Sequence, residues 1–185
     1  MSRLLYRLSY ATLIEAETTI PTPPCSVKGS QKSRGKSRMR MKHTCKLTVR
    51  TYECDGYNHV NNAVYLNYLE YGRMEFLKDA GLDYRAFLQA GLALVVARIC
   101  ITYKTPAVYG DELIIETESI RFRKSFGVFQ QDIRKGSTLV ATAEVSWFCV
   151  DSQGKPTPLP PRFMLSALIP DSKVEPDTNL PSASK

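Results

Sequence analysis

The segment Asp55–Arg73, DGYNHVNNAVYLNYLEYGR, constrains this chain more than any other. Within eight positions, Asp55 to Asn62, it joins a carboxylate, small polar residues and the start of an apolar helix. The helix is expected over Asn62–Ala80, with Gly81 as its C-cap. At about 1.5 Å per residue it spans roughly 28 Å, enough to lie along a whole sheet. Val64, Tyr65, Leu66, Tyr68, Leu69, Met74, Phe76, Leu77 and Ala80 cover more than one stripe, which predicts burial on several sides. The start of this helix carries possible chemistry as well. Asn61 and Asn62 are N-cap types, and the first turn points free N–H groups and a partial positive charge outward. An acyl carbonyl held there would be polarised, with Asp55 close by to attack it or to activate water. The spacing alone also fits a polar turn capping an ordinary core helix.

Around this helix the chain reads as strands. Thr44–Arg50 alternates Cys45, Leu47 and Val49 against Lys46, Thr48 and Arg50, the pattern of a half-buried strand. Tyr84–Gln89 is expected to add a short helical turn. Four more strands are expected at Ala93–Lys104, Glu112–Arg121, Phe126–Arg134 and Thr138–Val150, with Lys135-Gly136-Ser137 as a hairpin turn. A strand, a long helix and then consecutive strands predict an α+β fold, an antiparallel sheet wrapped around one central helix.

Charge separates a leader from the domain. The net charge of +7 at first suggests a nucleic acid or membrane partner. Residues 1–42 hold nine Lys/Arg and two Glu, whereas residues 43–185 hold sixteen basic and sixteen acidic side chains. The folded part is therefore neutral, and a phosphate-tracking groove would need its basic residues on the domain. No nucleic-acid partner is expected. Residues 1–42 are expected to be a disordered basic leader, because Pro21–Lys42 is rich in Pro, Ser, Gly, Lys and Arg. Three origins stay open for it: a targeting peptide, a basic tail, or an untranslated stretch ahead of a start at Met39 or Met41. The domain is placed at 43–168 and a flexible tail at 169–185. No run of eighteen apolar residues occurs, so no membrane-spanning helix is expected. The five cysteines are odd in number and form no CxxC. With His43 and His59 as the only histidines, ligands for a structural zinc are too few. Cys45, Cys100 and Cys149 fall within strand patterns, where a thiol packs as a small hydrophobe, and a reducing cytoplasm is the expected setting.

The pattern D-x-x-x-H-V-N-N-A-V-Y, followed by Y-L-E-Y-G-R, resembles the signature of the hot-dog-fold thioesterases of the 4-hydroxybenzoyl-CoA thioesterase class. The likeness runs from about Thr44 to Leu165 and takes in Tyr103–Asp111 (YKTPAVYGD), Arg123–Phe126 (RKSF) and Val150–Pro160 (VDSQGKPTPLP). Many relatives have glycine just before the histidine; here the residue is Asn58, which tolerates a left-handed backbone better than most.

The resemblance implies a hot-dog fold and hydrolysis of an acyl-CoA or acyl-carrier-protein thioester, with no cofactor and no metal. It implies Asp55 as the catalytic carboxylate, a nucleophile or a general base. It implies the Asn62 backbone N–H as the donor that holds the thioester oxygen. His59 would orient Asp55 or a water, or else pack the loop; Asn61 would position water or cap the helix. Glu70 and Glu75 read as solvated or ion-paired, and the helix tyrosines Tyr65, Tyr68 and Tyr71 read as core before acyl-pocket lining. Arg121, Arg123 and Lys124 form the tight basic cluster of the domain, suited to coenzyme A phosphates or to guarding a strand edge. A homodimer or homotetramer is implied. The alternatives are a hot-dog hydratase or dehydratase using His59 and Asp55 as an acid–base pair, and a non-catalytic acyl-CoA-binding subunit. The G-x-S-x-G and H-E-x-x-H motifs are absent, which disfavours serine- and zinc-hydrolase readings.

Overall fold

The computed structural model describes residues 42–170; the expected leader and nearly all of the expected tail lie outside them. Five strands, β1 (His43–Thr48), β2 (Ala93–Tyr103), β3 (Glu112–Arg123), β4 (Phe126–Lys135) and β5 (Thr138–Val150), form one antiparallel sheet. Their order is β1-β3-β4-β5-β2. The long helix α1 (Val64–Asp79) lies against β1 and β3, and a short helix α2 (Tyr84–Gln89) follows it. This is the α+β hot-dog arrangement, and every expected strand is present within two residues of its predicted ends.

The β4–β5 hairpin shows why the strand boundaries were readable. Arg134 pairs with Leu139 and Lys135 with Thr138, so the loop is Gly136-Ser137. Gly136 has φ 56, the positive value that a two-residue hairpin loop demands at its first position and glycine adopts freely. Helix α1 starts two residues later than expected because Asn61 absorbs the first donors. Its side chain accepts the Ala63 N–H at 2.9 Å, and its carbonyl accepts the Val64 N–H at 2.9 Å. At the other end Gly81 (φ 94) makes the expected cap. Leu82 N–H reaches Leu77 O and Gly81 N–H reaches Lys78 O, each at 2.9 Å, the paired bonds of a Schellman ending.

Burial of α1 differs from the expectation. Tyr65, Tyr68, Leu69, Gly72, Arg73, Phe76 and Leu77 are buried, a single stripe at i, i+3, i+4 and i+7. Leu66 and Tyr71 are 39 % and 41 % exposed. One sheet covers one side of the helix, so its apolar outer residues stay in contact with solvent. The stripe includes a glycine because the helix sits very close to the sheet. A Cβ on Gly72 would lie 2.6 Å from Ile115 Cγ2 and 3.1 Å from Gln131 Nε2.

The helix side of the sheet holds two apolar clusters. One, around Tyr65, Leu69, Leu113, Ile115 and Ile133, lies beneath the start of α1. The other, around Phe76, Phe87, Phe129 and Trp147, lies beneath its end. A third cluster, Phe126, Val128, Phe148 and Val150, has no helix residue in it and occupies the opposite face of β4 and β5. Among the described residues, no helix is long and apolar enough to cross a membrane.

Gly72→Ala tests the close helix–sheet contact. Overpacking of this kind costs about 1–3 kcal/mol, even though alanine is the better helix former. A denaturant titration showing an unchanged or raised midpoint would mean that α1 can move off Ile115 freely.

Candidate active site

After β1 the chain makes a short turn of 3-10 helix at Thr51–Glu53 and then doubles back on itself. Asp55 N–H donates to His59 O at 2.8 Å, and Asn58 N–H donates to Asp55 O at 3.0 Å. Asn58 occupies the left-handed region with φ 62, which closes the turn as its sequence position suggested. Loop 105–111 supports the turn from the side. Val60 N–H donates to Ala107 O at 2.8 Å, and His59 bridges Val108. That loop is held in turn by Asp111, which accepts Val108 N–H at 3.0 Å and faces Lys135 Nζ at 2.6 Å. Burial alone would raise the Asp111 carboxyl, but Lys135 and the Val108 N–H outweigh it and hold it below its ordinary value.

Asp55 is half-buried, and its two oxygens are not equivalent. Oδ1 accepts the Tyr57 N–H at 2.8 Å and the His59 N–H at 3.3 Å. Oδ2 has no hydrogen-bond partner among the described residues. The carboxylate is thus fixed by one oxygen and offers the other. Asp55 lines an open cavity of about 410 Å³ together with His59, Val60, Asn62, Tyr65 and the segment Tyr103–Pro106. Asn62 stands just ahead of α1, and its N–H makes no hydrogen bond within the described residues. Its carbonyl is held by the Tyr103 hydroxyl, which donates at 3.0 Å. The Tyr65 hydroxyl accepts the Ala107 N–H at 3.3 Å, and burial raises its pKa above the ordinary tyrosine value. The two rings meet edge-on at 5.3 Å. The cavity therefore has a carboxylate and an unused amide at one side and aromatic surface at the other.

The sequence candidates divide between two ends of the sheet. Asp55, His59 and Asn62 share the cavity. His59 reaches Asp55 through its backbone N–H; its exposed imidazole makes no hydrogen bond among the described residues. Asn61 turns its side chain to the helix start and does not line the cavity. Glu70 and Glu75 are ion-paired along the helix, with Arg73 and Lys78. Arg121 and Arg123 stand on β3 and Lys124 in the following turn, at the far end. Arg123 pairs with Phe126, Phe126 with Phe148, and Phe148 with Val95; on the same scheme Ile115, Ile133, Ala141 and Tyr103 make the row nearest the cavity. Val95 and Tyr103 are eight positions apart, roughly 27 Å of extended chain.

Sequence reasoning assigned no role to Tyr103, Lys104 or Pro106, although the segment YKTPAVYGD had been noted. Their shared signal is a strand end running into a proline, which places side chains at a loop rim. Among the described residues, no three His, Cys, Asp or Glu side chains come together to hold a metal ion.

The architecture and this cavity define the class to which the chain can be compared. The thioesterase-like superfamily model matches residues 49–168. Among curated proteins, the long-chain acyl-CoA thioesterase FadM of Escherichia coli (strain K12) is 34 % identical over 107 residues, covering 57 % of this chain and 80 % of FadM. The chloroplastic acyl-acyl carrier protein thioesterase ATL3 of Arabidopsis thaliana is 36 % identical over 74 residues, covering 40 % of this chain and 39 % of ATL3. The chain thus spans well under half of ATL3's length. The crystal structure of a probable thioesterase from Bartonella henselae superposes with a TM-score of 0.58 at 30 % identity, over 64 % of this chain and 98 % of that one. The class is that of hot-dog-fold thioesterases. The chain belongs to the thioesterase-like superfamily.

The turn that presents Asp55 depends on the left-handed residue. Asn58→Gly is expected to leave the melting temperature and turnover close to wild type. Asn58→Val places a β-branched residue at positive φ and is expected to cost about 1–2 kcal/mol or more, with loss of activity as the turn opens. Equal behaviour of the two variants in thermal melts would show that the turn is not under this constraint.

Proposed function

We propose that the chain hydrolyses acyl thioesters, of CoA or of an acyl carrier protein, with Asp55 as the reacting carboxylate. One observation carries the reading: the free Oδ2 of Asp55 and the unused N–H of Asn62 face a common cavity that can hold a thioester. In this mechanism the Asn62 N–H, at the positive end of α1, donates to the carbonyl oxygen and stabilises the negative charge that grows there. Asp55 Oδ2 either attacks the carbonyl carbon, expelling the thiolate and giving a mixed anhydride that water then hydrolyses, or takes a proton from a water that attacks the carbonyl carbon and expels the thiolate. Both routes end in the free acid and the thiol. Val60, Tyr65 and Tyr103 receive the acyl group. A hydratase acid–base pair is less well supported, because no bond joins the His59 ring to Asp55. Cys45, Cys54 and Cys149 are free thiols, but Cys100 is disulfide-bonded and not the packed thiol that its strand position suggested, so the cysteines do not speak for a reducing cytoplasm.

The reading also includes a dimer, paired through β2. This strand is eleven residues long and, among the described residues, is bonded on one side by β5 alone. Antiparallel pairing of two β2 strands about a twofold axis would reverse one protomer against the other. The partner's Arg121, Arg123 and Lys124 would then come to the end that carries Asp55. A basic cluster that is remote within one chain becomes a phosphate site for the substrate bound next door.

Two measurements test this function. Asp55→Asn retains an oxygen to accept the Tyr57 N–H, so the fold should persist. It should lower kcat by at least about 10²-fold, with KM little changed; a residual kcat above about a tenth of wild type would overturn the role. In a single turnover in ¹⁸O-water, label in Asp55 identifies an anhydride that water opens at the Asp55 carboxyl carbon, an outcome the general-base route cannot give. The dimer is tested by mixing subunits. Arg123→Ala/Lys124→Ala should raise KM for acyl-CoA with little change in kcat. Heterodimers of that variant with Asp55→Asn should recover the wild-type KM at one intact site. Persistence of the raised KM in the mixture would show that the cluster does not serve the partner.

A further inference from the structure

Glu53 is a carboxylate that the reaction above does not consume, yet it is only 7 % exposed. Burying a carboxylate without partners is costly, and its partners indicate what it serves. Oε2 accepts the Tyr68 hydroxyl at 2.8 Å and the Arg50 backbone N–H at 2.7 Å. Oε1 faces the Arg50 guanidinium at 3.4 Å. Its backbone carbonyl accepts the Asn61 N–H at 2.9 Å. Burial first, and then Glu53 itself, push the Tyr68 phenol well above its ordinary value, so its hydroxyl remains a donor.

These contacts reach three different parts of the site. Glu53 lies two residues before Asp55, on the outgoing arm of the turn. Asn61, on the returning arm, immediately precedes Asn62, and the Cys54–Val60 bridge joins the arms between them. Tyr68 belongs to α1, the helix that Asn62 introduces. One buried residue therefore links the segment bearing the carboxylate, the segment bearing the amide and the helix behind both. The contacts on the cavity side, Tyr103 to Asn62 and Ala107 to Tyr65, hold the helix start but do not reach Asp55. Only donors converge on the Glu53 side chain. An amide there would turn an NH₂ group against one of them, so glutamine is not an equivalent occupant despite its shape.

We propose that Glu53 is a positioning residue: through Tyr68 and Asn61 it fixes the separation of the Asp55 carboxylate and the Asn62 N–H without touching substrate. This rests on the reading that those two groups carry the reaction. The effect of losing it belongs to the chemical step, because a reacting group displaced by about 1 Å can lose about 10²-fold in rate while the binding surface is unchanged.

The test compares Glu53→Gln, Tyr68→Phe and the double variant, measuring kcat and KM on the best thioester together with melting temperature. Glu53→Gln should lower kcat by about 10-fold or more, with KM within about twofold. Tyr68→Phe should give a smaller loss of the same kind, and the double variant should lose no more than Glu53→Gln alone. Leu168→Ala, a core truncation beside β3, is the stability control and should lower the melting temperature while leaving kcat unchanged below it. Unchanged kcat in Tyr68→Phe, a rise in KM alone, or losses matched by Leu168→Ala would overturn the proposal, and Tyr68→Phe decides even if Glu53→Gln does not fold. An active Asp55→Asn would instead remove the proposed function. An inactive Asp55→Asn beside a fully active Glu53→Gln would remove the positioning role alone.

Discussion

The close seating of α1 on the sheet is the contact on which the other features depend. Gly72 lets the helix backbone approach Ile115, and a buried polar tie fixes the approach along the helix axis. Gln131, fully buried, donates to Leu69 O at 3.0 Å and to Thr117 Oγ1 at 2.9 Å, and accepts from Arg73 at 3.0 Å. Arg73 also pairs with Glu70 at the surface edge. Burial lowers the Arg73 guanidinium from its usual value, and Glu70 opposes that shift. Apolar contacts alone would leave the helix free to slide by small steps, since they have no direction. Hydrogen bonds to Leu69 O and Arg73 allow one register only. Asn62 is two turns of helix from Leu69, so its place at the cavity follows from that register.

The site then depends on backbone more than on side chains. The turn at Asp55 is closed by amides on both arms, and the neighbouring loop is joined to it by two further backbone contacts. Side chains enter where backbone cannot reach across: Asp111 to Lys135, Tyr103 to Asn62, Glu53 to Tyr68. Each links two segments far apart in sequence. A loop held this way keeps its geometry without an apolar core of its own, which leaves the cavity open to substrate.

Much of the fold was legible because β1 alternates without a break, β2 and β5 alternate on either side of a single register shift each, and the turns use residues with clear backbone preferences. Gly81, Gly136 and Asn58 all adopt the positive φ that their positions suggested. What was not legible was orientation. Leu66 and Tyr71 read like Tyr65 and Leu69 on composition, and only the single covering sheet separates exposed from buried. The buried pairing of Arg73 with Gln131 has no local sequence signal, because the two are fifty-eight positions apart. In the candidate site, the turn and helix start were readable as one contiguous motif. The opposite wall, Tyr103–Pro106, comes from the end of another strand. The distance between Asp55 and the basic cluster needed the strand register before it had any meaning.

That register also bears on the edge of the sheet. Natural edge strands are guarded by charge, proline, short length or irregularity. Strand β2 has one charged residue, Arg98, in eleven, and no proline; its irregularity is a single register shift between Val96 and Arg98. The strand at the opposite edge, β1, is only six residues long and carries Lys46 beside Glu112. Two edges of one sheet are thus treated differently, although both would present the same unpaired amides. Strand β2 runs directly into Tyr103 at the cavity wall, while β1 leads through the Thr51–Glu53 turn to Asp55. Among the described residues, the strand with the weakly guarded edge is also the strand that delivers one wall of the cavity, and that coincidence is the ground for the proposed pairing.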